Sequence, residues 1–166
     1  FLTFLDRNAG EIRSGPVGER SDNFLDVAHF PFTHTATIGD AGDQRVGEYE
    51  LSRTGWVFSA LHRHSAKLLD GSGRLTERTM QFECTAPHHL RLRLDYGEHG
   101  IVVLLFFHQP VDVGATNLYC MQMDTAIPSP DPDEERANIA HAIAFQQSVG
   151  AEDRQLLERI ARKGVP

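Results

Sequence analysis

Cysteine is scarce in this chain of 166 residues, Lys/Arg-rich runs are missing, and no apolar stretch is long enough to cross a bilayer. Each lack excludes something. The two cysteines, Cys84 and Cys120, stand far apart inside alternating apolar segments. They cannot supply a zinc ribbon or a cysteine-ligated cluster, and they read as buried thiols in a reducing cytoplasm. A formal charge of -7 without a basic patch argues against nucleic acid or an anionic membrane surface as partner. The longest apolar run, Gly100–Phe107, falls well short of the roughly 20 residues a spanning helix needs. The N-terminus lacks the basic-then-apolar order of a secretion signal. A cytoplasmic protein with a small organic ligand is the class left standing.

The length fits a single domain over residues 1–166. Such a domain buries roughly two-thirds of its unfolded surface and needs no metal merely to fold, so a metal site would serve chemistry. Residues 1–20 are a poorly assigned lead-in: "FLTFLD" suits a short strand or a helix start, and the glycine- and proline-bearing stretch after it suits a loop. From Asp22, a candidate cap, the pattern turns helical, and Pro31 predicts an end near His29. Six segments of period two follow, at 46–53, 55–64, 75–86, 88–96, 100–109 and 115–125, several joined by turn signals short enough for antiparallel hairpins. In "HHLRLRLDY", Leu90, Leu92, Leu94 and Tyr96 point one way and Arg91, Arg93 and Asp95 the other, so one sheet face is covered. The last segment predicts a long helix with Asp131 as cap, Pro132 in the first turn and Glu134 at capping-box spacing. Gly150 could bend or split it. The layout is α+β, a curved antiparallel sheet with a helix on its concave side.

Polar groups collect in one apolar phrase, "DNFLDVAHFPFTH". Asn23, Asp26 and His29 are spaced by three and share a face in a helix, while the Pro31 break lets the chain turn His34 back toward His29. Two imidazoles with a carboxylate and open positions would select non-haem Fe(II), and Asp26 has the spacing of a carboxylate that orients a ligating imidazole. Spacing alone equally allows a solvated Asp26 beside a helix-terminal histidine. His62 and His64 alternate onto one strand face with Trp56 and Phe58 and read as strand-end polar residues or pocket wall. The stripes Asn117, Tyr119, Met121, Met123 and Met80, Phe82, Cys84 read as core or pocket lining.

The same phrase resembles the mononuclear-iron signature N-x-x-D-x-x-H-x4-H of the Rieske non-haem iron oxygenases, the ring-hydroxylating and O-demethylating α-subunits. The resemblance implies that His29 and His34 are iron ligands, that Asp26 relays electrons from the Rieske cluster of a neighbouring subunit, and that Asn23 lines the site. It places the third ligand in the C-terminal helix, where "FQQSVGAEDRQLLERI" makes Asp153 the candidate. Asp153 shares an apolar face with Leu157 and Ile160, an expensive place for an unpartnered carboxylate, although a helix restarting at Gly150 would make it a first-turn acid. The implied fold is the helix-grip fold, similar to START and Bet v 1 domains. The implied activity is Fe(II)- and O2-dependent hydroxylation or O-demethylation of an aromatic or similarly apolar substrate. The implied assembly is a homotrimer fed by a Rieske or ferredoxin-type donor. The C-x-H and C-x-x-H pair that would hold a [2Fe–2S] cluster does not occur, so that cluster is expected on another domain or chain. The alternative is a helix-grip carrier for a hydrophobic small molecule with a vestigial metal site.

Overall fold

The computed structural model describes residues 3–6, 22–86, 89–112, 115–125 and 127–163. Seven strands form one sheet: β1 (Thr3–Asp6), β2 (Glu50–Thr54), β3 (Val57–Lys67), β4 (Leu75–Thr85), β5 (His89–Asp95), β6 (Ile101–Asp112) and β7 (Ala115–Asp124). Their order is β1-β7-β6-β5-β4-β3-β2, antiparallel throughout. Strands β2 to β7 are thus a meander in which each strand pairs with the next, and β1 returns to the far edge against β7. The stretch that the sequence left open between strand and helix is a strand, fixed by pairing Thr3 with Met123 and Asp6 with Cys120.

Alternation decides which side of the sheet faces inward. Along β4 the buried residues are Arg78, Met80, Phe82 and Cys84, and along β6 they are Val102, Leu104, Phe106 and His108. On β7 the inward set is Thr116, Leu118, Cys120 and Gln122, in register with β6 through Leu118 opposite His108 and Gln122 opposite Leu104. The stripe Asn117, Tyr119, Met121 and Met123 therefore lies on the other face and does not line the pocket. Its Tyr119 hydroxyl donates to exposed Gln109 instead. Gly55 and Trp56 form the β2–β3 turn rather than the start of a strand; Gly55 has φ 58, which L-residues seldom adopt, and Trp56 is left exposed.

Across the inward face runs α2 (Pro132–Lys163), a helix of 32 residues and about 48 Å. It is continuous through Gly150, where a side chain would meet open space. Asp131 caps it by accepting from the Asp133 N–H at 2.9 Å. Glu134 does not close the capping box: its carboxylate takes the Ser129 hydroxyl, and Ser129 in turn accepts from the Asp131 N–H. Among the described residues no helix is long and apolar enough to cross a membrane.

The polar phrase departs from the expected single helix. Residues 22–25 are helical, and the backbone then leaves the helix at Asp26, whose Oδ1 accepts from the Ala28 N–H at 2.8 Å in an Asx turn. A second helical turn, α1 (Phe30–Thr33), carries Pro31 in its first positions, where no N–H is required. Pro31 starts this turn instead of ending the one before. The chain after α1 folds back tightly. Gly39 donates to the His34 carbonyl at 2.8 Å, and a Cβ at Gly39 would stand 2.2 Å from the Phe30 carbonyl oxygen. Since that obstacle is backbone, Gly39→Ala is expected to cost about 1–3 kcal/mol by overpacking, read as a lowered denaturation midpoint with unchanged slope.

Candidate metal centre

His29 and His34 are the residues immediately before and after α1, so a single helical turn sets their separation. Asp153 approaches from α2. The three side chains converge: His29 Nε2 lies 3.2 Å from His34 Nε2 and 3.4 Å from Asp153 Oδ1, and His34 Nε2 lies 3.1 Å from the same oxygen. Among the described residues this is the group of three whose ligand atoms could hold one metal ion.

The other nitrogen of each ring explains why the Nε2 atoms face inward. His29 Nδ1 is 3.3 Å from Asp26 Oδ2, and His34 Nδ1 is 2.7 Å from Glu152 Oε2. An ionised carboxylate only accepts, so both Nδ1 atoms carry hydrogen and both Nε2 lone pairs point at the centre. Three lone-pair donors then stand within hydrogen-bonding distance with no hydrogen between them, an arrangement that calls for a proton or a cation. Their spacing fits a metal: the edge of an octahedral face is about 3 Å for bonds of about 2.0–2.2 Å. Two imidazoles and one carboxylate suit Fe(II) or Zn(II), and a set of three that occupies one face leaves positions open.

Electrostatics agree with the geometry. Burial pushes the Asp153 carboxyl upward, but when a proton rather than a cation fills the centre the hydrogen bonds that His29 and His34 then offer, the charge of His34 and the Asn23 amide outweigh it and hold the group well below the usual carboxylate range. Burial lowers the His34 imidazolium, yet Asp153 and Glu152 together raise it above its ordinary value. Asn23, itself buried, donates from Nδ2 to Asp153 Oδ1 at 3.0 Å and is among the residues that line the cavity, where it positions the carboxylate. Asp26 is half exposed, His29 nearly covered. Asp26 thus connects the ring to the surface.

Glu152 was not recognised in the sequence. Its carboxylate is gripped by His34 and, at 2.7 Å, by the Thr37 hydroxyl. The only signal was its adjacency to Asp153 in "AED": two imidazoles each need an orienting acid, and the phrase around His29 has just one, Asp26, at that spacing. Because such acids hold ring orientation and raise ligand basicity, Glu152→Ala is expected to weaken metal affinity by about 10–100-fold in a chelator competition, without unfolding the sheet.

The triad lines a cavity of about 490 Å³ between sheet and helix, walled by Leu92, Leu94, Leu104, Phe106, Leu118 and Phe145 among others. Such a volume and lining suit one flat apolar molecule. Of the other residues weighed from sequence, Met80 and Cys120 join the wall, Cys84 is core, and His62 is buried against Tyr49 and His64.

With this fold and this centre, the sequence profile of the vanillate O-demethylase oxygenase C-terminal domain matches residues 20–165. The chain belongs to that family of Rieske oxygenase C-terminal domains. Solved structures agree in fold. NdmA from Pseudomonas putida CBB5, with caffeine, superposes with a TM-score of 0.75 at 22% identity, over 99% of this chain and 45% of that one. Dicamba monooxygenase bound to 3,6-dichlorosalicylic acid gives 0.72 at 13% identity, over 98% and 49%. A quaternary ammonium Rieske monooxygenase gives 0.57 at 14% identity, over 97% and 39%. The chain thus spans less than half the length of these structures. No curated protein matches it.

Proposed function

We propose that this chain is the catalytic domain of a Rieske-type oxygenase, hydroxylating or demethylating an aromatic or similarly apolar substrate, with Fe(II) held by His29, His34 and Asp153. The observation that carries this reading is the set of three lone pairs 3.1–3.4 Å apart in the wall of a largely apolar cavity. Iron bound there would supply O2 activation, which protein side chains cannot. The remaining work falls to the chain's own residues. Asp26 and Glu152 hold the Nδ1 hydrogens and so aim both rings. Asn23 fixes the Asp153 oxygen. The leucine and phenylalanine walls exclude water and hold the substrate beside the triad. Electrons come from a Rieske cluster on another domain or chain, and their path ends on Asp26 and His29, because Asp26 is the part of the centre nearest solvent. The family resemblance adds a head-to-tail trimer as the assembly that brings such a donor to Asp26.

Metal analysis tests the centre. Anaerobic addition of Fe(II) is expected to give about one iron per chain, whereas a carrier with a vestigial site would take up none. Asp26→Asn separates binding from electron delivery: it keeps a hydrogen-bonding group but loses the charge, so iron is retained while turnover with a Rieske donor is lost. Unchanged turnover in that variant would remove Asp26 from the path.

A further inference from the structure

Phe30 opens α1 between the two imidazoles, and both of them pack against its ring. The rings of His29 and Phe30 lie 4.9 Å apart, centre to centre, with planes at 86°, and those of Phe30 and His34 lie 5.5 Å apart at 74°. The backbone adds a tie: the His34 N–H donates to the Phe30 carbonyl at 3.1 Å, and this is the carbonyl against which Gly39 leaves no room for a side chain. Phe30 also reaches the sheet. The His64 ring lies 6.1 Å from it at 74°, and the Arg78 guanidinium lies over it, Cζ 5.9 Å from its centre.

Arg78, on β4, is completely shielded from water and held by the strands on either side. Its Nε and Nη2 donate to His64 Nε2 on β3 at 3.2 and 2.6 Å, and Nη1 donates to the hydroxyl of Tyr96, the residue after β5, at 2.9 Å. His64 is a neutral acceptor: burial, then the charge of Arg78, then His62 hold its pKa down to about 3. A guanidinium keeps its charge when buried, and among the described residues no carboxylate forms an ion pair with this one. Its attraction to the rings of Phe30 and Tyr96, the latter 5.6 Å away, is strongest in such a dry place. Arg78 is therefore a fixed post on the sheet, and Phe30 leans on it.

The acids at the Nδ1 atoms do not restrain the two imidazoles equally. Glu152 lies 2.7 Å from His34, whereas Asp26 lies 3.3 Å from His29 and is half exposed. A long bond to a solvated carboxylate leaves a ring free to tilt. Packing against Phe30 removes that freedom, because either imidazole can swing only by displacing a ring that His64 and Arg78 also hold. We infer that Phe30 is a positioning residue of the metal centre, and that the cage of His64, Arg78 and Tyr96 on the sheet keeps it in place. The inference rests on reading His29, His34 and Asp153 as the ligands.

Cobalt(II), a spectroscopic stand-in for iron, reads the geometry of the ligands directly. In the whole chain, Phe30→Leu is expected to weaken Co(II) binding about tenfold in a chelator competition and, at saturation, to broaden the Co(II) electron paramagnetic resonance signal, because the imidazoles then settle at several tilts. Arg78→Met should act the same way to a lesser degree, about threefold in affinity, and Arg78→Lys should recover part of that. Since Arg78 acts through Phe30, the double variant should match Phe30→Leu within about twofold instead of multiplying the two losses. Phe82→Leu is the control for packing alone: Phe82 is buried in the core of the sheet, so its loss should lower thermal stability and leave the cobalt signal as it is. Wild-type affinity and signal in Phe30→Leu, losses that multiply, or equal broadening in Phe82→Leu would each overturn the inference. Should Phe30→Leu fail to fold, Arg78→Met decides, and an unaltered signal there overturns it. A wild-type chain that takes up no Co(II) overturns the centre itself, and with it this role.

Discussion

Replacing Asp153 by alanine is expected to abolish stoichiometric iron binding, a loss of at least about a hundredfold in affinity, while the far-ultraviolet spectrum and cooperative unfolding persist. Asp153 supplies the only carboxylate oxygen of the three converging ligand atoms. Without it two imidazoles remain, and a bidentate site of neutral ligands holds Fe(II) poorly. Asn23 would lose its partner as well. The fold tolerates the change because its stability resides elsewhere: the buried cluster runs through Met80, Phe82, Leu94, Val102, Leu104 and Phe106 on the sheet, and each fully buried side chain of this kind contributes about 1.5–3 kcal/mol. His34→Ala is expected to match Asp153→Ala in iron loss. Iron retained at one per chain in either variant would displace the proposed centre.

The second large effect concerns electrons. Supplied with NADH, O2 and Fe(II) but no other protein, this chain is expected to give no sustained product, and addition of a Rieske protein from the same source should raise turnover from background to a steady rate. Inserting one oxygen atom and reducing the other to water consumes two electrons from outside, and one ferrous ion is a one-electron reservoir. Nothing among the described residues replenishes it. Cys84 on β4 and Cys120 on β7 are three strand positions apart in the sheet order, about 14 Å, too far to share a cluster. Product accumulating over many cycles without a partner would overturn this account of electron supply and point to the substrate as the reductant.

Much of the layout could be read from period-two alternation, because each of β3 to β6 buries one face and exposes the other to some degree. Strand β7 misled for a physical reason. Both its faces carry apolar side chains, so "ATNLYCMQMD" does not say which set is inward, and only pairing with β6 fixes Leu118 and Cys120 as the lining. The convergence of Asn23, Asp26, His29 and His34 was foreshadowed by their spacing, but the route was not. Spacing suggested one helix ended by Pro31, whereas an Asx turn at Asp26 breaks it and Pro31 opens α1. Glu152 was hard to see for another reason: its role depends on His34, 118 positions away, and adjacency to Asp153 does not announce such a pairing.

The hydrogen bond from Asn23 to Asp153 joins residues 130 positions apart, and the imidazole contacts beside it are nearly as long in range. The centre is thus a clasp between residues 23–34 and the C-terminal helix, closed across a sheet that the meander of β2 to β7 assembles from neighbouring strands. Local pairing forms early and long loops close late, so the clasp belongs among the last parts to order. Occupancy of the clasp then governs a local opening equilibrium rather than global unfolding. Amide exchange would register iron as slower opening of residues 22–39 and of the α2 segment around Asp153, with the central strands exchanging at an unaltered pace. A metal held by such a clasp could leave and return without dismantling the sheet beneath it.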